Sequence, residues 1–360
     1  MNSLSRSCRN MKISQMEPWF DDAEAEAVFA YMKSGGWLME YKKTEELERM
    51  IAEYAGAKHC VMTVNGTVSL WLALRALGIG RGDEVLVPTI TMIATPNAVA
   101  LAGAAPILVD GEPQTLCMDL EKAAEAVTPR TKAMLYVPLN GRSGDMEAVT
   151  SFCRAHGIFL VEDAAQALGS RYAGKHLGTF GDIGSFSFSV PKIITTGQGG
   201  ALVTDNDELY TSIRRLKDFG RDTGGADIHD YWGWNFKFTD LQAVVGIEQM
   251  KKLDGRVLRK RELYRQYRDA LQHIPEITFL PTDTNQTTPW FIDIYSEKPD
   301  SLQAYLKECD VGTRRVYPAV HTQKIYAEAY AGVSFPVSEQ FAAHGLWLPS
   351  SSKLADEEIE

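Results

Sequence analysis

Between about Trp19 and Leu253, seven short apolar runs alternate with stretches of helical periodicity, and this alternation most narrows the folds open to the chain. Cys60 to Val64, Glu84 to Val87, Pro106 to Val109, Ala133 to Val137, Phe159 to Glu162, Ile183 to Phe188 and Gly200 to Thr204 read as strands. Asp22 to Lys33, Lys43 to Tyr54, Thr67 to Ala76, Ile93 to Ala102, Met146 to Ala155, Asp207 to Leu216 and Asp240 to Lys252 read as helices. Strand and helix in turn build an α/β domain around a mostly parallel sheet with helices on both faces.

After Leu253 the pattern changes. A long charged helix over Arg256 to Leu271 precedes short strands and helices with Pro-containing turns, which predicts a smaller α/β C-terminal domain over residues 254–360. Residues 19–253 form the large domain, and residues 1–18 form an N-terminal extension whose first dozen, Met1 to Lys12, are polar and expected to be poorly ordered. At 360 residues and 45% hydrophobic content the chain can bury a large core. Leu354 to Glu360 reads as the first turn of a helix that continues beyond the end of the sequence, with acids placed favourably at its N-terminus.

Composition excludes several function classes. The net charge is −10, and Arg256 to Arg265, the one stretch rich in Lys and Arg, reads as a solvated helix face, which argues against a nucleic-acid partner. Five widely spaced cysteines with no Cys-x-x-Cys pair indicate neither a disulfide framework nor a zinc site, so no metal is expected and a reducing cytoplasm fits best. No run of about 18 apolar residues exists to span a membrane, and the N-terminus lacks the apolar core of a signal peptide.

In an open parallel sheet, ligands sit outside the carboxyl ends of the strands. Asp163 lies at such an end, where a buried carboxylate needs a cation nearby. It serves either as a capping or ion-paired acid, or as the partner of a ligand's positive charge. Lys192, 29 residues on, follows the alternating run Ser185-Phe186-Ser187-Phe188 and precedes Thr195-Thr196-Gly197-Gln198-Gly199-Gly200. A lysine there is either a surface group beside a glycine turn or a nucleophile whose amine is partly neutral through burial. Ser185 and Ser187 share one strand face and the phenylalanines the other. Upstream, the strand ending near Val64 runs through Asn65-Gly66-Thr67 into a helix, a junction whose free N–H groups suit phosphate. Thr67 either caps that helix or gives its hydroxyl to the phosphate.

These residues resemble the DegT/DnrJ/EryC1/StrS family of nucleotide-sugar aminotransferases dependent on pyridoxal phosphate (PLP), of the fold type I, aspartate-aminotransferase-like class. The marks are Glu162-Asp163-Ala164-Ala165-Gln166, the serine–phenylalanine run with Lys192, and Asn235-Phe236-Lys237-Phe238-Thr239-Asp240-Leu241-Gln242. The likeness runs from Ser34-Gly35-Gly36-Trp37-Leu38 to Gly345-Leu346-Trp347-Leu348-Pro349. It implies a mixed, mostly parallel seven-stranded sheet and a smaller C-terminal domain. It further implies that Lys192 holds the cofactor aldehyde as an imine, that Asp163 contacts the pyridine nitrogen and that Gln166 approaches the ring hydroxyl. Gly66, Thr67 and Ser187 are implied to hold the phosphate, with Asn235 arriving from the partner of an obligate homodimer with composite sites.

Two departures from the family pattern stand out. Met92 occupies the place of an aromatic residue that stacks on the ring, and it covers a ring face with less area. Gln198 stands where Glu is common. A related subgroup that deoxygenates sugars carries histidine in place of Lys192, so lysine implies transamination, with the cofactor passing through its pyridoxamine form. The expected donor is L-glutamate and the expected acceptor a nucleotide-linked 4-keto-6-deoxy hexose. The segment Thr313 to Thr322 resembles that of perosamine-forming relatives and implies that Arg314, Tyr317 and His321 line the sugar-nucleotide pocket. From the residues alone, Tyr317 serves equally as a turn residue and His321 as a packing residue. Arg142, Arg221 and His229 are further candidates for a diphosphate or the donor carboxylate. The competing readings are a different keto sugar, a silent relative that binds without turnover, and a phosphate-loop enzyme. The last is poor, because Gly197-Gln198-Gly199-Gly200 lacks a following Lys-Ser/Thr pair and leads into a strand.

Overall fold

All seven anticipated strands form, and all lie in one sheet, in a computed structural model that describes residues 12–222 and 227–359. They are β1 (His59–Thr63), β2 (Glu84–Pro88), β3 (Ala105–Val109), β4 (Thr131–Tyr136) and β5 (Phe159–Asp163), a small hairpin of β6 (Arg171–Tyr172) and β7 (Lys175–His176) standing apart, then β8 (Ile183–Ser187) and β9 (Gly200–Thr204). The order is β1-β9-β8-β5-β4-β2-β3. Contacts among β3, β2, β4, β5 and β8 are parallel, whereas β9 runs antiparallel to both β8 and β1.

Alternation along the strands sorts side chains into two cores, one on each face. Leu160, Phe186, Phe188 and Val203 pack on one side with Leu47 and Ile51, while Val161, Ile183 and Leu202 pack on the other with Leu70, Leu72 and Leu74. The helices over this sheet are α1 (Asp22–Lys33), α2 (Lys42–Ala55), α3 (Gly66–Ala76), α4 (Ala94–Leu101), α5 (Leu120–Ala126), α6 (Met146–His156), α7 (Asp207–Lys217) and α8 (Asp240–Lys251). Helix α5 escapes sequence reading because it is short and buries only Ala123, so it shows no apolar stripe; Asp119 starts it by accepting from the N–H groups of Glu121 and Lys122.

The long helix α9 (Leu253–Leu271) begins a turn earlier than its charge pattern suggests. Beyond it, β10 (Ile277–Phe279), β11 (Ile292–Ser296), α10 (Pro299–Glu308), β12 (Arg314–Arg315), α11 (Pro336–His344) and β13 (Gly345–Leu348) make a second, antiparallel sheet of order β10-β11-β13-β12 with two helices. The start of the described chain joins this part. Ile13 bridges Val311, and the Gln15 carbonyl accepts from the Ser350 N–H at 2.8 Å. Residues 1–11, expected to be poorly ordered, lie outside the described residues. No described helix is long and apolar enough to cross a membrane.

One carboxylate ties the N-terminal helices to α8. The α2 N-terminus has no cap of its own, and Asp240, the first residue of α8, supplies one from a distance. Fully buried, Asp240 accepts from the N–H groups of Tyr41 (2.7 Å), Lys43 (3.0 Å) and Thr44 (2.9 Å) and from the hydroxyls of Thr44 (2.8 Å) and Tyr31 (3.1 Å). Removing one side of a buried charged network leaves its donors unpaired. Asp240→Ala is therefore expected to lower the unfolding free energy by about 3–5 kcal/mol in urea denaturation, and a loss below about 1 kcal/mol would contradict this role.

Candidate active site

The two adjacent acids at the end of β5 face opposite ways. Glu162 accepts from the N–H groups of Gly178 (2.7 Å), Phe180 (2.6 Å) and Gly181 (2.9 Å), so it orders the loop before β8. Asp163 instead takes the hydroxyl of Thr95 at 2.7 Å on one oxygen and the Ala165 N–H at 3.3 Å on the other. Thr95 donates here, so the Thr91 hydroxyl 2.9 Å away donates to Thr95 in turn. The carboxyl is 5% exposed, and burial pushes its pKa up against the opposing pull of Thr95 and the Lys192 charge.

Lys192 responds in the opposite sense. Burial lowers its pKa to about 8, and the Asp163 charge acts against the fall. The loop that presents it is held by its own hydroxyls: Thr195 Oγ1 donates to the Phe188 carbonyl at 2.9 Å and accepts from the Gly197 N–H at 3.0 Å. Gly197 takes φ +80°, a conformation that favours glycine. The Gln242 side chain of α8 donates to the Gln198 carbonyl at 2.7 Å, so residue 198 acts here through its backbone.

The β1–α3 junction meets the same strand end. Asn65 caps α3, its side chain accepting from the Val68 N–H at 3.0 Å. The cap is thus Asn65 and not Thr67, and the Thr67 hydroxyl makes no hydrogen bond with the described residues. Gly66 lies so close to β8 that a Cβ on it would stand 3.0 Å from the Ser187 Cβ. Ser187 Oγ has only long contacts within Ser189, at 3.3 and 3.4 Å, and the buried Ser185 Oγ, in register with Asp163, has no partner. Helix N–H groups and under-used hydroxyls thus converge where a phosphate is expected, with an acid and a lysine beside them. This donor set fits pyridoxal phosphate.

The remaining candidates divide. Gln166 lines a cleft with Ser187, Lys192, Thr288, Pro289 and Trp290, and its Oε1 accepts from the Asn140 N–H at 2.9 Å, leaving its NH₂ for a ligand. Met92 opens the turn into α4 and is 45% exposed. Asn235 is exposed, its backbone bridged to Asp218. Tyr317 is buried with its ring edge-on to Trp347 at 4.8 Å, and Arg314 lies over the same indole at 5.4 Å. Burial pushes the Tyr317 phenol well up, and both Arg314 and Asp163 act on it.

His321 has both ring nitrogens engaged, with Thr89 Oγ1 at 3.0 Å and Glu339 at 3.2 Å, and bolts its segment to β2 and α11. Arg142 is committed as well: buried, it grips Asp293 with two bonds of 2.9 and 2.5 Å. Arg221 pairs with Asp218 at 2.6 Å, and His229 Nδ1 lies 2.8 Å from the Phe219 carbonyl. Sequence reading missed the roles of Thr95, Asn140 and Trp290. For Trp290 the available signal was the Thr287-Thr288-Pro289-Trp290 turn leading into the alternating strand β11.

With a pKa near 8, about a tenth of Lys192 is neutral at pH 7, against well under a thousandth for an ordinary lysine. Acetylation of the cofactor-free chain, resolved by peptide mass, is expected to reach half its maximal rate at Lys192 near pH 8, with exposed lysines following near their ordinary value of 10.5. A Lys192 midpoint above 10 would contradict this environment.

Residues 19–360 match the DegT/DnrJ/EryC1/StrS aminotransferase family. A GDP-perosamine synthase of Escherichia coli O157:H7 is 36% identical over 318 residues, covering 88% of this chain and 86% of that protein. S. venezuelae DesV, solved in complex with a ketimine intermediate, superposes with a TM-score of 0.89 at 34% identity, covering 96% of this chain and 95% of that one. NtdA of Bacillus subtilis, solved with bound cofactor PMP, does so with a TM-score of 0.87 at 29% identity, covering 94% and 80%. The fold, the site's donor set and these likenesses agree: the chain belongs to the DegT/DnrJ/EryC1/StrS aminotransferase family of PLP-dependent enzymes.

Proposed function

We propose that this nucleotide-sugar aminotransferase moves the amino group of L-glutamate to the C4 ketone of GDP-4-keto-6-deoxymannose, giving GDP-perosamine for a cell-surface polysaccharide. The observation that carries the transfer chemistry is the opposition of a buried Asp163 and a half-buried Lys192 beside the α3 N-terminus. The sugar is carried by likeness to the perosamine synthase.

Bound pyridoxal phosphate supplies an electron sink that stabilises negative charge on the carbon bearing the amine. The chain's own residues do the rest. Asp163, steadied by Thr95, would hold the ring nitrogen and its proton, since a buried carboxylate is best satisfied by a cation. Gly66, Thr67 and Ser187 would hold the phosphate, and the NH₂ of Gln166, fixed by Asn140, would reach the ring hydroxyl. Met92 would cover one ring face. Lys192, anchoring the aldehyde at rest and freed when substrate arrives, would lift the proton from the donor's α-carbon and return it to the neighbouring carbon. A base with a pKa near the working pH suits both halves of that task. Amine and carbonyl oxygen exchange between donor and acceptor, so no outside oxidant or reductant enters.

Arg314 and Tyr317 are proposed to border the sugar nucleotide, with His321 holding their segment in place. A homodimer completes the site. Trp37, Leu38, Met39, Tyr231 and Trp232 expose large apolar surfaces, Trp232 to 86%, in the segments flanking Asn235 and α2. Exposed apolar side chains of this size suit a partner surface, and in a second copy Asn235 would reach the phosphate. The free Cys60, Cys117 and Cys153, all buried, accord with a reducing cytoplasm.

Three outcomes are expected. Lys192→Ala loses at least about a hundredfold in transfer rate, as removal of an acid–base group does. Asn235→Ala lowers cofactor affinity in a chain that sediments as a dimer, and a monomeric active enzyme would contradict the composite site. A panel of nucleotide keto sugars with glutamate, its products read by mass and NMR, gives a 4-amino sugar from GDP-4-keto-6-deoxymannose; product from a UDP or dTDP sugar alone would overturn the perosamine assignment.

A further inference from the structure

Lys260, in the middle of α9, is 1% exposed and has no carboxylate beside it. Its ammonium donates to two backbone carbonyls, those of Trp290 and Ser350, and burial pulls its pKa to about 7. A buried lysine is unfavourable unless its donors are met, and what this one fixes is the start of β11. Trp290 is held from its other sides too. Its indole N–H donates to the Pro191 carbonyl at 2.7 Å, and its ring stacks on Phe291 at 3.8 Å and meets Trp347 at 5.9 Å. Pro191 immediately precedes Lys192. The Lys192 ammonium itself stands 4.0 Å from the centroid of the Trp290 ring.

We propose that Trp290 is the positioning residue of Lys192: its indole N–H fixes the turn that carries the lysine, its ring face orients the amine and favours the ammonium form, and Lys260 pins the tryptophan in place. The proposal rests on reading Lys192 as the amine of the transfer reaction, and it assigns to the C-terminal sheet a direct hold on that amine. An aromatic face stabilises a desolvated cation through its quadrupole. Few other groups compete. Asp163 faces the amine from β5 and favours its charge; Tyr317, beyond β12, is neutral; Arg314 lies over Trp347; Lys260 is tied to the Trp290 carbonyl. Burial lowers the proton affinity of Lys192, and Trp290 and Asp163 together limit the fall.

The test is the acetylation midpoint of Lys192 in the full, cofactor-free chain, read for Trp290→Leu, Trp290→Phe and Lys260→Met. Loss of the ring in Trp290→Leu is expected to lower the midpoint by about one pH unit, a tenfold change in proton affinity. Trp290→Phe, which keeps a smaller face and the core packing, falls between that and the parent, and decides the matter alone where the leucine variant does not fold. Lys260→Met, which frees the Trp290 carbonyl, shifts the midpoint in the same direction. In the cofactor-loaded enzyme the pH at which the visible absorbance changes moves with these midpoints, while donor KM changes less than kcat. Midpoints within about 0.2 unit of the parent in both tryptophan variants overturn the proposal. If Lys192→Ala keeps full transfer activity, the functional reading fails instead, and the midpoint shifts still report on the Trp290 contact.

Discussion

The site depends on an opposition of two titratable groups at the same strand ends, Asp163 buried and Lys192 half-buried. Asp163 is pushed toward its neutral form and Lys192 toward its own, and each is drawn back by the other. Neither arrangement is favourable for stability alone, because a buried charge is costly unless matched. It leaves an acid ready for a cationic ring and an amine ready to gain or lose a proton near neutral pH. The rest of the fold brings these groups together and keeps them so. Parallel strands β5 and β8 set Asp163 beside Ser185, and the antiparallel turn-back to β9 builds the hydroxyl-braced loop for Lys192.

The walls of the site come from opposite ends of the chain. The α3 N-terminus and β8 supply the proposed anion cradle, while Thr288, Pro289 and Trp290 line the other side from the approach to β11. Buried pairs lock these parts in register: Arg142 and Asn140 both hold Asp293 of β11, and the Asn140 backbone then fixes Gln166. Asn140 takes φ +51°, a left-handed conformation that asparagine tolerates better than most residues with a side chain.

Strands and most helices were legible because each carries its own signal: β8 alternates, β4 carries the apolar run Ala133-Met134-Leu135-Tyr136, and α8 follows a Thr cap. Asp163, Lys192 and the Gly66–Thr67 turn were legible because chemistry at strand ends leaves local marks. What sequence could not reveal are partnerships across long separations. Arg142 looks like a free anion ligand until Asp293, 151 residues away, claims both its arms. Thr95 looks like any helix-start threonine until it is seen against Asp163, and Lys260 looks like part of a solvated charged face although it is buried. Asn65 took the capping role that was one of two readings of Thr67, a choice between polar residues two positions apart that backbone geometry decides.

In the proposed mechanism Lys192, and no other lysine, holds the cofactor. Purified chain loaded with pyridoxal phosphate, reduced with borohydride and digested, would be read by peptide mass for a phosphopyridoxyl group. The label is expected on Lys192, with Asp163→Ala lowering its yield. Label on another lysine, Lys260 included, or none at all in a folded chain, would contradict it.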